Sequence, residues 1–146
     1  NRIENFQIDH VTFASNFYGE VEYSFEQITA YLKEFDPTYH LLKVITPANF
    51  EPSTRSIKIM EDFSDKFNIK SCTYNTFNEL TVEKGVVEFS KQRKVDMVVM
   101  PTHGRKGLSH LLHGSFVENL VTEFDVPVLS YKIEVPETTY GVLFPA

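Results

Sequence analysis

The sequence predicts a three-layer α/β/α fold built on a five-stranded parallel sheet, and two observations carry that prediction. Strand-like stretches alternate along the chain with helix-like stretches of about a dozen residues, an order that calls for right-handed crossovers with helices on both sheet faces. Tyr39 to Thr46, YHLLKVIT, is almost continuously apolar, as expected of a central strand covered on both sides. Five strands and four helices fit the 146 residues.

The first strand is read from Asp9 to Ser15, with Val11, Phe13 and Ala14 as its apolar residues. After Tyr18-Gly19, the residues Val21, Phe25, Ile28, Leu32 and Phe35 recur at steps of four and three, which places all five on one helical face, and Pro37 stops that helix. The apolar second strand follows, then a loop from Pro47 to Pro52. A second helix is expected from Ser53 to Phe67 with Met60, Phe63 and Phe67 as its buried stripe. Lys70 to Thr76 sets Cys72 and Tyr74 against polar neighbours, the alternation of a more exposed strand near a sheet edge. A third helix from Glu79 to Lys94 carries Val82, Val86 and Phe89 on one face. The fourth strand is the short run Met97 to Met100, and the last strand runs from Val126 to Ile133.

Composition narrows the function classes. One domain spanning residues 1–135 accounts for the elements, and residues 136–146, with two prolines and one glycine, read as an extended tail, either a disordered terminus or one whose Leu143 and Phe144 dock on a neighbouring subunit or on the preceding domain of a longer chain. Lys and Arg total 14 against 20 Asp and Glu, a net charge of −6 that argues against nucleic acid as a partner. Cys72 is the only cysteine, so an intrachain disulfide and a four-cysteine zinc site are excluded, which is compatible with a reducing cytoplasm. No apolar run approaches the roughly 18 residues of a membrane span, and no basic-then-apolar leader opens the chain. A cytoplasmic location without membrane attachment is the expectation.

The stretch from Asp96 to Ser130 organises the rest. It passes from a strand into a loop carrying Gly104 and Gly107, then to Gly114-Ser115, where Phe116, Val117, Leu120, Val121 and Phe124 begin a helical pattern. Ser115 with Glu118 fits a capping box, so a helix N-terminus is expected there. Unpartnered amides at a helix start, approached through glycines, suit an anion such as a phosphate, and Arg105-Lys106 adds local positive charge.

Gly104, the nine residues from Arg105 to His113, and Gly114-Ser115 resemble the signature of the universal stress protein family: Gly-x-x-Gly, nine residues, then Gly-Ser or Gly-Thr. The resemblance implies the sheet order 3-2-1-4-5 of that Rossmann-like, adenine nucleotide alpha hydrolase-like fold, with a cleft between strands one and four. It implies ATP as ligand, with Mg accompanying it. Adenine would lie against Ala14, Ser15, Asn16 and Val44, and ribose and phosphates over Met100, Pro101, Gly104, Arg105, Gly114, Ser115 and Phe116. It also implies a homodimer formed through the last strand, or pairing with a second such domain in a longer chain.

Two positions depart from the family pattern. Pro101 replaces the first glycine; it has no N–H and a fixed φ, so it offers no backbone donor to a ribose or phosphate. Asn16 stands where nucleotide-binding relatives have aspartate, which removes a charge but keeps an acceptor oxygen. Two functions therefore stay open: a stress-response module that binds an adenine nucleotide without fast turnover, and a degenerate domain that binds none and acts through dimerisation and protein contacts. No catalytic residue is assigned, and slow ATP hydrolysis is the most that is expected. His103, His110 and His113 have spacing compatible with a metal, but no cysteine lies nearby and the nearest carboxylate, Glu118, is across the glycine turn, so no metal is expected. Ser109 and Ser115 lack a nucleophile elbow, and capping explains Ser115.

Overall fold

The computed structural model describes residues 7–18, 21–102 and 126–132. Five strands, β1 (His10–Ala14), β2 (Thr38–Ile45), β3 (Cys72–Asn78), β4 (Met97–Thr102) and β5 (Val128–Lys132), form one sheet in the order β3-β2-β1-β4-β5. Every neighbouring pair is parallel. Three helices connect them among the described residues: α1 (Val21–Tyr31), α2 (Ser53–Phe67) and α3 (Val82–Arg93). The crossovers from β1 to β2 and from β2 to β3 run one way along the sheet, and those from β3 to β4 and β4 to β5 run the other way. Right-handed connections then put α1 and α2 on one face and α3 on the opposite face.

Strand alternation sorts the core between those faces. Val11, Phe13, Tyr39, Leu41, Met97 and Val99 join Val21, Phe25 and Ile28 of α1 and Met60 and Phe63 of α2 in one buried cluster. Ala14, Leu42, Val44, Val98 and Met100 join Val86, Val87 and Phe89 of α3 in another. The α3 face also buries polar groups, each with a partner. Ser90 Oγ donates to Thr12 Oγ1 at 2.9 Å. His40 Nδ1 lies 2.7 Å from Thr73 Oγ1, and its Nε2 lies 3.1 Å from His10 Nδ1.

Most expected elements are present, with shifted edges that have local causes. α1 ends at Tyr31: the N–H groups of Phe35 and Asp36 bond the carbonyls of Leu32 and Lys33, three residues back, and Asp36 takes φ 47°. That tighter turn changes the angular step, so Phe35 is rotated off the buried face and is 36% exposed, whereas the other four residues of the stripe are buried. β3 lies two residues later than expected, Tyr39 pairing with Cys72 and Ile45 with Asn78. α3 begins at Val82 and not at Glu79 because the Thr81 hydroxyl accepts the Lys84 N–H at 3.2 Å as its cap. Pro127 and Val126 precede β5, and Ile133 lies outside the described residues.

The most consequential shift is at Pro101, which belongs to strand β4 and pairs with Tyr131 of β5, not to the loop after it. A proline inside a sheet normally removes a ladder bond. Here the Val98 N–H bonds the carbonyl of Pro127, just before β5, so by alternation Val99 and Pro101 turn their nitrogens toward β1. The β1–β4 ladder ends at Phe13↔Val99, one step before Pro101 would be required to donate.

Candidate functional site

The strand order reverses at β1, and beyond Phe13↔Val99 no ladder joins β1 to β4. β1 continues to follow β2, with the Ser15 N–H bonded to Leu42 O at 3.1 Å, while β4 continues with β5 as far as Thr102↔Lys132. A gap therefore opens at the carboxyl end of the sheet with Ala14, Ser15 and Asn16 on one side and Met100 and Pro101 on the other, the position where open parallel sheets hold ligands. Tyr131 closes it from the α1 face. Its ring stacks on Phe13, with centroids 5.1 Å apart, and its hydroxyl donates to the Ala14 carbonyl at 2.8 Å. Burial pushes the Tyr131 phenol well above its ordinary pKa, with a hydrogen bond to Ser15 opposing the shift, so it is a neutral donor.

The loop after β1 is held at four points. Ser15 Oγ accepts the Phe17 N–H at 2.8 Å and Asn16 Oδ1 accepts the Tyr18 N–H at 2.9 Å, the side-chain turns that Ser and Asn form readily. Phe17 adopts φ 64° and buries its ring against Phe63, 5.1 Å between centroids. Tyr18 donates its hydroxyl to Glu51 Oε2 at 2.7 Å. A non-glycine residue in the left-handed region is uncommon, and here the two caps and the buried ring hold it there.

Beneath the gap, the side chains of Ala14, Val44 and Met100 share the buried cluster under α3. Val44 is pressed against that helix: a Cβ on Gly85 would lie 2.5 Å from its Cγ1 and 2.8 Å from its Cγ2. Only the main chain at Val44 can therefore face a ligand at the rim. Pro101 turns a nitrogen without hydrogen toward the same gap.

A second cluster, which sequence reasoning missed, lies at the end of β2. Lys43, 8% exposed at its side chain, meets Glu51 Oε1 at 2.8 Å, and Ser56 and Tyr18 also donate to that carboxylate, with Arg55 Nε at 3.4 Å. Burial alone would raise the Glu51 pKa, but these hydrogen bonds and the Lys43 charge bring it down to about 2. The signal in the sequence was the lone cation in the apolar run YHLLKVIT, which needs a buried partner. Nearby, a cleft of ≈ 400 Å³ at the ends of β2 and β3 is flanked by the exposed Phe50 and Leu80.

Of the residues expected at the site, Ala14, Ser15, Asn16, Val44, Met100 and Pro101 are brought to this end of the sheet. Gly104, Arg105, Gly114, Ser115 and Phe116 lie outside the described residues, as do His103, Ser109, His110 and His113. Among the described residues no three His, Cys, Asp or Glu side chains converge as a metal site, and no helix is long and apolar enough to cross a membrane.

Comparison with known proteins fits this geometry. Residues 79–132 match the model of the universal stress protein family. A universal stress protein of Methanocaldococcus jannaschii is 25% identical over 117 residues, 68% of each chain. Over these stretches the chain is similar in sequence to universal stress proteins. A solved universal stress protein in complex with cAMP superposes on this domain with a TM-score of 0.66 at 12% identity, covering 88% of this chain and 100% of that one. A universal stress protein from Archaeoglobus fulgidus gives 0.63 at 18% identity, covering 86% of this chain and 44% of the longer one. The strand order of the universal stress fold is the one present here.

Proposed function

We propose that this universal stress domain is a stress-response module that binds a purine nucleotide at the carboxyl end of β1 and β4, ATP being the first ligand to test. The observation that carries the reading is the ladder-free gap beyond Phe13↔Val99, walled by a loop after β1 whose conformation is already held in place. A relative of the same fold was solved with cAMP, an adenine nucleotide. In this reading the base lies against Ala14, Ser15, Asn16 and the main chain at Val44. The sugar and phosphates extend over Met100 and Pro101 toward Gly104, Arg105, Gly114, Ser115 and Phe116, with Mg accompanying a triphosphate. Binding without turnover is the proposed activity, in the cytoplasm.

The test is a thermal unfolding series with MgATP. A ligand at about 100 times its Kd stabilises by about 2.7 kcal/mol, so millimolar ATP should raise Tm by several degrees, and Pro101→Gly should increase the rise by restoring a backbone donor. An unchanged Tm for both proteins would leave the second reading, a domain that acts through protein contacts. Two observations favour that alternative: Pro101 withholds a donor from the gap, and β5 ends the sheet with Val128 39% exposed, an edge suited to pairing with a second copy or a second such domain.

A further inference from the structure

The outward face of α1 carries two tyrosines that the core does not use. Val21, Phe25 and Ile28 turn inward, whereas Tyr23 and Tyr31 are 65% and 74% exposed. They stand eight residues apart, about 12 Å along the helix axis. The Tyr23 hydroxyl accepts a hydrogen bond from Gln27 Nε2 at 2.8 Å, which holds that ring in one orientation. Around the two rings the charge is of one sign. α1 contains Glu22 and Glu26 and no lysine or arginine, and Glu34 follows it. Among the described residues Glu22 meets Lys66 at 2.7 Å, whereas neither Glu26 nor Glu34 forms an ion pair. Lys33, the nearest cation in sequence, lines a separate cleft at the amino end of the sheet. Single exposed rings need no explanation, but two rings set among unpaired carboxylates make a surface of definite chemistry.

Arginine is the complement of that surface. Its guanidinium plane stacks on a tyrosine face while its N–H groups bind a carboxylate, and it gives up water more readily than an ammonium. The same carboxylates repel nucleic acid and anionic lipid. A second copy of this chain fits poorly, because it repeats the net charge of −6 and its described arginines are engaged, Arg55 with Glu51 and Arg93 with Asn75. We propose that the outer face of α1 is a docking surface for a helix of a partner protein that presents two arginines two turns apart, one for each tyrosine. This face points away from the sheet and from the gap between β1 and β4, so the proposal does not depend on the nucleotide reading.

The experiment titrates a helical alanine-based peptide with two arginines seven positions apart, about 10.5 Å, into the isotope-labelled protein and follows the backbone amide shifts. The shifts should concentrate on Val21–Tyr31. Replacing both tyrosines, Tyr23→Ser with Tyr31→Ser, should raise Kd about tenfold, and lysines in place of the two arginines should also weaken binding. Both tyrosines are exposed, so Tm of the double variant should stay near that of the parent. A Kd unmoved by the tyrosine pair, or shifts as large on the acidic residues of α2 as on α1, would reduce the effect to net charge and overturn the proposal. No saturable binding at millimolar peptide would overturn it as well. Sedimentation of the protein alone supplies the last arm: a dimer abolished by the tyrosine pair would assign the surface to a second copy instead of a partner protein.

Discussion

Between the sheet and helices α1 and α2 the packing is dominated by aromatic rings, whereas between the sheet and α3 it is mostly aliphatic, with one ring pair, Phe77 and Phe89, and is threaded with hydrogen bonds. On the first face Phe25 stands at the centre, its ring 4.8 Å from Phe13, 5.0 Å from Phe63 and from Phe67, and 5.6 Å from Tyr39 by centroid. On the second face, Ser90 bonds Thr12, and a chain of contacts runs from His10 through His40, Thr73 and Asn75 to Arg93, whose Nη2 donates to Asn75 Oδ1 at 2.9 Å. Apolar burial stabilises without regard to direction, while hydrogen bonds demand particular alignments. The aromatic layer therefore holds the strands and helices together, and the hydrogen bonds of the α3 layer fix how strands and helix sit on each other.

If this division holds, the largest single loss should come from the aromatic side. Phe25→Ala removes a fully buried ring at the meeting point of four others and should cost about 3–5 kcal/mol, read from urea unfolding. A loss under about 2 kcal/mol would show that the layer can collapse around the hole, and that the aromatic face is less central than its contacts imply.

A smaller but more telling effect is expected where α3 touches β2. Gly85→Ala places a methyl group 2.5 Å from Val44 Cγ1, and Val44 is a stiff, β-branched residue in a central strand that has little room to turn. Overpacking of this kind costs about 1–3 kcal/mol, and Val44→Ala in the same chain should recover most of it. Because Val44 borders the gap, the single variant should also weaken the proposed nucleotide binding, whereas Phe25→Ala, measured where it is still folded, should weaken it less. Equal effects on binding would erase the distinction between the two faces.

Much of this architecture was legible in the sequence, for reasons that differ from one element to the next. α2 was bounded at Ser53 and Phe67 because Pro52 closes the loop before it and the stripe Met60, Phe63 and Phe67 runs to its last residue. The strand order was not readable from periodicity, which fixes faces but not neighbours; it came from the resemblance in the Gly104 to Ser115 loop. Phe35 was misplaced because helical spacing persists in the sequence where the backbone has already tightened. Pro101 was read as loop because proline usually ends a strand, and only the register shows that its nitrogen faces a place where no ladder bond is required. At the site, the sequence identified Asn16 as a departure but not that its oxygen is engaged by the Tyr18 N–H, since that depends on the loop geometry.

The smallest expected effect lies at the amino end of the α3 face and depends on pH. Burial, His10 beside it and the Arg93 charge all hold the His40 pKa below the usual 6.5. The ring is met by His10 from β1, by Thr73 from β3 and by the Arg93 charge from α3, none of which carries a negative charge to offset an added proton. Between the depressed value and 6.5 the unfolded chain binds the proton and the folded chain does not, so stability rises with pH across that window. It is present in full above about 6.5 and is lost as pH falls, with a slope no steeper than about 1.4 kcal/mol per pH unit for one proton. Tm measured at pH 7.5 and 5.5 should drop more for the parent than for His40→Gln, which keeps a hydrogen-bonding side chain beside Thr73 but cannot titrate. Equal drops would show that the polar chain under α3 stays intact when acid is added, and would confine its role to alignment of the strands.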